Sequence, residues 1–153
     1  MSGFVAVGTS PAITLTNDGF WPDVDSETVR ASLRLDASVS DARLEMAIVG
    51  AMLEANRDLH SLKFRHLAAG RERLADVPAC QINGQSELVV TYLRAIYCAA
   101  GAELAERYRS YDSTGQGDRN AEALSPTIDE YRRDARYAIR SLLGTPRNTV
   151  ELI

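Results

Sequence analysis

The longest apolar stretch of the chain, residues 87–112, has a clear helical period. Its apolar side chains recur at steps of three and four residues, which puts them along one face of a helix. This first stripe comprises Val89, Leu93, Ile96, Ala100, Leu104 and Tyr108. A second stripe beside it comprises Leu88, Tyr92, Ala95, Ala99 and Ala102. A helix that is apolar over so much of its surface is typical of one buried on more than one side, so the pattern predicts a central helix.

Three further helices are predicted around the central one. A short helix over residues 27–35 has Asp25 or Ser26 as its N-cap, and a long helix over residues 41–69 follows Ser40. The predicted core stripe of the long helix comprises Leu44, Ile48, Ala51, Ala55, Leu59 and Leu62. A last helix begins after Ser125, with Pro126 at its first position. Its predicted inner face comprises Ile128, Tyr131, Ala135, Ala138, Ile139 and Leu142. The predicted fold class is therefore all-α, a bundle of about four helices.

Two segments, one at each end of the chain, lack a helical period. Residues 1–19 are predicted to form an extended or disordered arm, in which a strand within residues 12–16 is a weaker alternative. Residues 147–153 alternate in polarity and form a β-prone extended tail. The predicted organisation is thus an arm over 1–19, a helical domain over 20–146 and a tail over 147–153. Phe20 and Trp21 are costly to leave in water, so they are expected to anchor the arm on the core, although an exposed anchor for a partner stays open.

Composition narrows the classes of function. The chain has 153 residues, 45% of them hydrophobic and 25% charged, which is the balance of one globular domain. Its net charge of −4 makes it a poor general nucleic-acid binder. The N-terminus has no basic start of a secretory signal, and no apolar run suggests a membrane span, so residence in the cytoplasm is the expectation.

The candidate chemistry is sparse. His60 and His66 are six residues apart and lie on different sides of a helix, so no metal site is predicted. The sequence contains no pattern of a catalytic nucleophile, a general base or a phosphate-binding loop. This indicates that the protein is not an enzyme and binds no cofactor. Arg132, Arg136 and Arg140 share one helix face and form either a basic stripe for a partner or a solvated surface.

Several short motifs in order make the chain resemble a known family. The motifs are Phe20-Trp21-Pro22-Asp23-Val24-Asp25, Arg73-Leu74-Ala75-Asp76-Val77-Pro78-Ala79, Ile82-Asn83-Gly84-Gln85-Ser86, Glu106-Arg107-Tyr108-Arg109, Ser125-Pro126-Thr127-Ile128-Asp129-Glu130, Arg133-Asp134-Ala135-Arg136-Tyr137-Ala138 and Gly144-Thr145-Pro146-Arg147. Over residues 20–153 the chain resembles the head completion proteins (gpL type) of temperate contractile-tailed phages, the peduovirus group. Residues 1–19 do not match that pattern, and Pro126 interrupts one of its runs.

The resemblance implies a structural virion protein of the portal vertex, present in the host cytoplasm during assembly. Such a protein binds the phage portal protein after DNA packaging, closes the filled head and makes it competent for a tail. The helical pattern is also similar to that of phage adaptor proteins. This similarity implies a ring of copies, twelve by analogy. The ring meets a tail-side connector or terminator protein, and packaged DNA lies near it without being a specific ligand.

Two segments are expected to act in this assembly. The tail expected to dock on the portal by strand addition comprises Arg147, Asn148, Thr149, Val150, Glu151, Leu152 and Ile153. The loop expected to line the DNA channel comprises Asp112, Ser113, Thr114, Gly115, Gln116, Gly117 and Asp118. The alternative function is a small helical regulator or nucleic-acid-binding module that uses the arginine stripe on phosphates.

Overall fold

A computed structural model describes residues 13–109 and 127–145. In this part of the chain the helices are α1 (Ser26–Ser32), α2 (Asp41–Asp58), α3 (His60–Ala68), α4 (Glu87–Arg109) and α5 (Ile128–Leu142), with a 3-10 turn at Leu74–Asp76. Two short antiparallel pairs join β1 (Thr14–Leu15) to β2 (Val24–Asp25) and β3 (Gln81–Ile82) to β4 (Gln85–Ser86). The fold is therefore mainly α, with five helices among the described residues rather than about four, and it is not strictly all-α.

Helix α4 is the centre of the body and packs against both α2 and α5. In the second stripe Tyr92, Ala95 and Ala102 are buried. In the first stripe Ile96, Ala100 and Leu104 are buried, while the side chain of Tyr108 is outside the described part. The prediction of a helix buried by neighbours on more than one side is confirmed.

Gly101 of α4 lies close to α5 and to the turn after α1. Small residues surround it in the sequence, from Cys98 to Ala102. A Cβ atom at position 101 would lie 3.0 Å from Leu33 Cδ2 and 3.2 Å from Tyr131 Cε1. Two neighbouring side chains thus fill the space that any larger residue would occupy, which offsets the conformational cost of glycine in a helix.

The chain before α1 is folded onto the body. Leu15 pairs with Val24 and Thr14 with Asp25 in the β1–β2 pair, so residues 13–19 of the predicted arm lie on the helices. Residues 1–12 of that arm lie outside the described residues. Between the strands, Phe20 and Trp21 meet edge to face at a centroid distance of 4.8 Å. This loop is therefore fixed at both ends and in its middle.

A closed ring of three side-chain hydrogen bonds joins this loop to α2 and α4. Asn17 Nδ2 donates to Tyr92 Oη at 2.9 Å, and Tyr92 Oη donates to Asn56 Oδ1 at 2.6 Å. Asn56 Nδ2 completes the ring by donating to Asn17 Oδ1 at 2.9 Å. The ring of Trp21 stacks on that of Tyr92 at 4.9 Å and 7°, so the polar ring has an aromatic cover. Burial raises the pKa of Tyr92, which keeps its hydroxyl protonated as the donor that the ring needs.

The long helix predicted over residues 41–69 is broken. Its core stripe is confirmed, because all six predicted residues are buried. However, α2 ends at Asp58 and α3 begins at His60, with Leu59 at φ −97° and ψ 6° between them. Neither glycine nor proline stands at the break. Leu59 itself is fully buried, so core packing sets a bend for which the local sequence carries no signal.

Two further local features differ from the predicted elements. Asn83-Gly84 has φ values of +50° and +74° and closes the β3–β4 hairpin, which was not among those elements. The last helix begins at Ile128 with Thr127 as its N-cap, whereas Ser125 and Pro126 lie outside the described residues. Thr127 and Glu130 exchange hydrogen bonds in a capping box, which is a stronger start signal than the one predicted.

We expect Tyr92→Phe to destabilise the protein by about 1–3 kcal/mol. The change leaves Asn56 Oδ1 and one N–H of Asn17 without a partner in a half-buried site. Urea unfolding followed by circular dichroism measures it. Tyr97→Phe is the matched control, because it removes the same group from α4 at a position where the described residues make no hydrogen bond to the hydroxyl. Equal stability of the two variants would contradict the role of the polar ring.

Two glycine substitutions separate helix propensity from packing. Gly50→Ala adds a methyl group that meets only Glu103 Oε2 at 3.4 Å, so we expect it to stabilise the protein by about 0.5–1 kcal/mol. Gly101→Ala gains the same propensity but crowds Leu33 and Tyr131. It should therefore be at least about 1 kcal/mol less favourable than Gly50→Ala in the same unfolding measurement. A Gly101→Ala variant as stable as Gly50→Ala would show that the close approach of α5 is not tight.

Candidate interaction surfaces

The two segments expected to act in assembly are outside the described residues. They are the tail over 147–153 and the loop over 112–118. What the structure does show is the helix ends from which they depart. At the end of α5, Thr145 N donates to Arg140 O at 2.9 Å and Gly144 N to Ser141 O at 3.0 Å, with Gly144 at φ +69°. This is a Schellman end, so the chain is held to the body up to residue 145.

Phe20 and Trp21 are parts of the core. Their exposed fractions are 3% and 2%, so neither offers surface to a partner. Asp18 supports them, because its Oδ1 accepts hydrogen bonds from both of their backbone amides and its Oδ2 pairs with Lys63 Nζ at 2.5 Å. Partial burial acts to raise the pKa of Asp18, but the hydrogen bonds from Lys63 and from the backbone outweigh it and hold that pKa below its usual value.

The predicted arginine stripe lines a groove of about 530 Å³ between α2, α4 and α5. Small residues such as Gly50, Ala51 and Ala99 form its floor. The acidic residues that share the groove with the three arginines are Glu54, Asp58, Glu103 and Glu106. Arg132 Nη2 donates to Glu106 Oε2 at 2.7 Å. Carboxylates therefore line the same groove as the arginine stripe, and Arg132 is paired with one of them within the protein.

A second groove lies on the side of α4 that faces away from α2, and we call it the Tyr97 groove. Its volume is about 590 Å³. Its apolar lining comprises Leu33, Val90, Leu93, Tyr97, Cys98 and Tyr131. Arg34 and Arg94, from two different elements, contribute positive charge to it. Burial and, secondarily, the charge of Asp134 raise the pKa of the Cys98 thiol, so this wall is uncharged at neutral pH.

The outer face of α2 carries an exposed apolar stripe that the sequence reasoning missed. Met46, Val49 and Leu53 are 65%, 44% and 61% exposed, and we call them the α2 stripe. The predicted core stripe of this helix comprises only its inner face. The spacing of the three residues at i, i+3 and i+7 is a signal that could have identified them as a second apolar face.

Other features have simpler explanations. By length and composition, Glu87–Arg107 in α4 could span a membrane, but this segment is the core helix of the body, and its contacts with α2 and α5 explain its apolar character. Partial burial and the charges of Arg65 and Arg71 lower the pKa of His66. Within residues 13–109 and 127–145, no three His, Cys, Asp or Glu side chains are grouped to hold a metal ion.

Comparisons with known proteins cover nearly the whole chain. The phage head completion protein (GPL) family matches residues 15–153. The head completion/stabilization protein of Escherichia phage P2 is 43% identical over 146 residues, which are 95% of this chain and 85% of that protein. No solved structure matches the chain. The resemblance seen in the sequence motifs is thereby confirmed, and the chain belongs to the phage head completion protein (GPL) family.

Proposed function

We propose that this chain is a structural virion protein that completes the phage head as a head-to-tail adaptor. It binds the portal protein after DNA packaging, closes the filled capsid and makes it competent for tail attachment. The observation that carries this proposal is the family match over residues 15–153, together with 43% identity to a head completion/stabilization protein. The family is structural and is not an enzyme family.

The proposed partners follow from this position in the virion. Copies of the chain form a ring on the portal, twelve by analogy with adaptor proteins, and the ring meets a tail-side connector or terminator protein. A closed ring requires head-to-tail contacts between copies, in which two different surfaces of the chain meet. Packaged DNA is near the ring without being a specific ligand, and no membrane takes part. The protein is in the host cytoplasm during assembly and at the portal vertex afterwards.

The body supports this proposal as a rigid platform for its extensions. Helix α5 is held by buried Ala138 and Leu142 and ends in a fixed Schellman turn, so the tail begins from a defined point. Residues 110–126 connect α4 to α5, two helices that pack against each other. Both segments proposed to act in assembly are thus attached to the same well-packed helix pair.

The tail over 147–153 is the proposed docking element for the portal. Its alternating polarity suits a strand that adds to an exposed sheet edge, where backbone hydrogen bonds supply direction and binding. The loop over 112–118 is the proposed lining of the DNA channel. Asp112 and Asp118 give it negative charge, which would repel phosphates and keep DNA from adhering.

Deletion of residues 147–153 should abolish capture of the portal in a pull-down while leaving the helical circular-dichroism spectrum unchanged. A finer pair of variants tests strand addition. Val150→Pro removes a backbone N–H and should weaken portal binding at least tenfold, whereas Val150→Thr keeps the N–H and β-propensity and should bind within about threefold.

Each outcome of that experiment distinguishes a different step. Unchanged capture by the deletion variant would overturn docking through the tail. Loss of capture by the deletion, with wild-type binding by Val150→Pro, would keep the tail as the docking element and overturn strand addition. The circular-dichroism spectrum and the unfolding midpoint of each variant show that the body is intact.

The channel-lining role of the loop predicts an effect of charge on DNA. The double change Asp112→Lys and Asp118→Lys should leave portal capture unchanged and slow DNA ejection from completed heads, because lysines in the channel attract phosphates. The slowing should weaken as salt is raised. The control is the double change Asp112→Asn and Asp118→Asn, which removes the negative charges without adding positive ones. It should therefore slow DNA ejection less than the lysine variant. Electron microscopy of the ring that located this loop on the outer rim would overturn the proposal.

A further inference from the structure

The described part of the chain begins beside helix α1. Ile13 N donates to Ser26 Oγ at 3.3 Å, and Ser26 N donates to Ile13 O at 3.0 Å, so the β1–β2 pairing continues onto the first residue of α1. Because this pairing is antiparallel, the chain before Ile13 is directed along α1 towards the C-terminal end of that helix. Residues 1–12, which we call the strap, therefore leave the body from a defined point and in a defined direction.

Both ends of α1 are close to the Tyr97 groove. At the C-terminal end, the residues that line the groove are Ser32, Leu33 and Arg34. At the N-terminal end, burial and, secondarily, the charge of Asp25 raise the pKa of Tyr97. The Tyr97 hydroxyl is thus within electrostatic reach of Asp25, the residue that pairs with Thr14. A segment directed along α1 therefore starts near the groove and is led towards its rim.

The opposite side of α1 is covered by the turn that leads to α2. Arg30 Nη1 donates to Val39 O at 3.0 Å, and Arg30 Nη2 pairs with Asp41 Oδ1 at 2.7 Å. Ser32, which lines the groove, is nearly opposite Arg30 around α1, since successive residues of a helix are about 100° apart. The side of α1 that remains open to a following segment is therefore the side of the Tyr97 groove.

The strap has the length and the composition to fill the groove. Its twelve residues span about 40 Å when extended, whereas the seven residues of α1 span about 10 Å. Residues 1–12 include no Asp, Glu, Lys, Arg or His, and their longest apolar run is Phe4-Val5-Ala6-Val7. The groove is apolar as well, and its Val90 is 39% exposed. Contact between the two would remove apolar surface of both from water.

We propose that residues 4–7 of the strap occupy the Tyr97 groove of the same chain. Phe4 and the two valines contact the apolar lining, and the strap follows α1 in an extended form. Arg34 and Arg94 line the groove and offer N–H donors to the backbone carbonyls of an extended segment. The groove then becomes an internal site of the chain, which a partner reaches only after the strap is displaced. The inference is independent of the proposed function, because the strap precedes residues 15–153, which match the family.

The reactivity of Cys98 measures the cover over the groove. Cys98 lines the groove, and in a Cys80→Ser background it is the sole cysteine of the chain. Deletion of residues 2–11 should speed the reaction of Cys98 with N-ethylmaleimide about tenfold, because loss of the strap exposes the thiol. The deletion leaves Ile13 and the β1–β2 pair in place.

Substitutions in the full-length chain separate the apolar contact from the length of the strap. The triple change Phe4→Ser, Val5→Ser and Val7→Ser should speed the reaction of Cys98 as much as the deletion does, because it removes the apolar side chains that hold the strap. The matched control is Thr9→Ala with Ser10→Ala, which changes the strap outside its apolar run. This control should react at the parent rate.

Disulfide formation tests the location of the strap. Four variants of the Cys80→Ser protein each carry one cysteine in the strap: Phe4→Cys, Val5→Cys, Ala6→Cys and Val7→Cys. Mild oxidation should join at least one of these cysteines to Cys98 of the same chain, because a disulfide needs Cα atoms within about 7 Å. The control set carries Cys98→Ala and Leu53→Cys, which moves the second thiol to the exposed outer face of α2. It should give no disulfide within one chain.

Each outcome supports or overturns the proposal. A Cys98 rate that the deletion leaves unchanged would overturn it, as would a disulfide from the strap to Leu53→Cys in the control set. A disulfide that joins the strap of one chain to Cys98 of another would assign the groove to a neighbouring copy and would also overturn it. Circular dichroism of each variant shows that the body is folded. If the deletion unfolds the body, the disulfides decide, because they form in the full-length chain.

Discussion

The body depends on the hydrogen-bonded ring of Asn17, Asn56 and Tyr92 under the ring of Trp21. Three segments far apart in the sequence meet there: the loop before α1, helix α2 and helix α4. Each amide and the phenol both donates and accepts, so removal of one member strands polar groups of the other two. The indole of Trp21 stacks on the phenol of Tyr92 and so excludes water from one side of the hydrogen-bonded ring. This site therefore fixes the position of α4 relative to the N-terminal loop.

With α4 fixed, the rest of the architecture follows from its two-sided apolar surface. Its alanine-rich side faces α2. Because Gly101 has no side chain, it leaves room for the ring of Tyr131 of α5. Charged side chains line the α2–α4–α5 groove. Arginines and carboxylates share that groove, whereas apolar residues dominate the Tyr97 groove on the other side. The same helix thus separates a charged surface from an apolar one.

This separation suits a component of an assembly. In the charged groove arginines and carboxylates share one surface, and Arg132 pairs with Glu106 there. The α2 stripe and the Tyr97 groove are apolar and exposed, and burial of each would gain free energy in proportion to its area. A packed helical body with exposed apolar surfaces is consistent with the structural role of the phage head completion protein family.

The sequence by itself determined the helical class, the core stripe of α2, the buried centre of α4 and the family, because periodicity and ordered motifs are local properties. The predicted inner face of α5 is buried only at Ala138 and Leu142. Only the tertiary structure decided the break at Leu59, the short strand pairs and the polar ring around Tyr92. Each of these depends on residues distant in sequence that compete for the same core. The placement of the arginine stripe beside carboxylates, and of an apolar groove opposite the α2 stripe, is likewise tertiary, since periodicity gives the face of a helix but not what lies across from it.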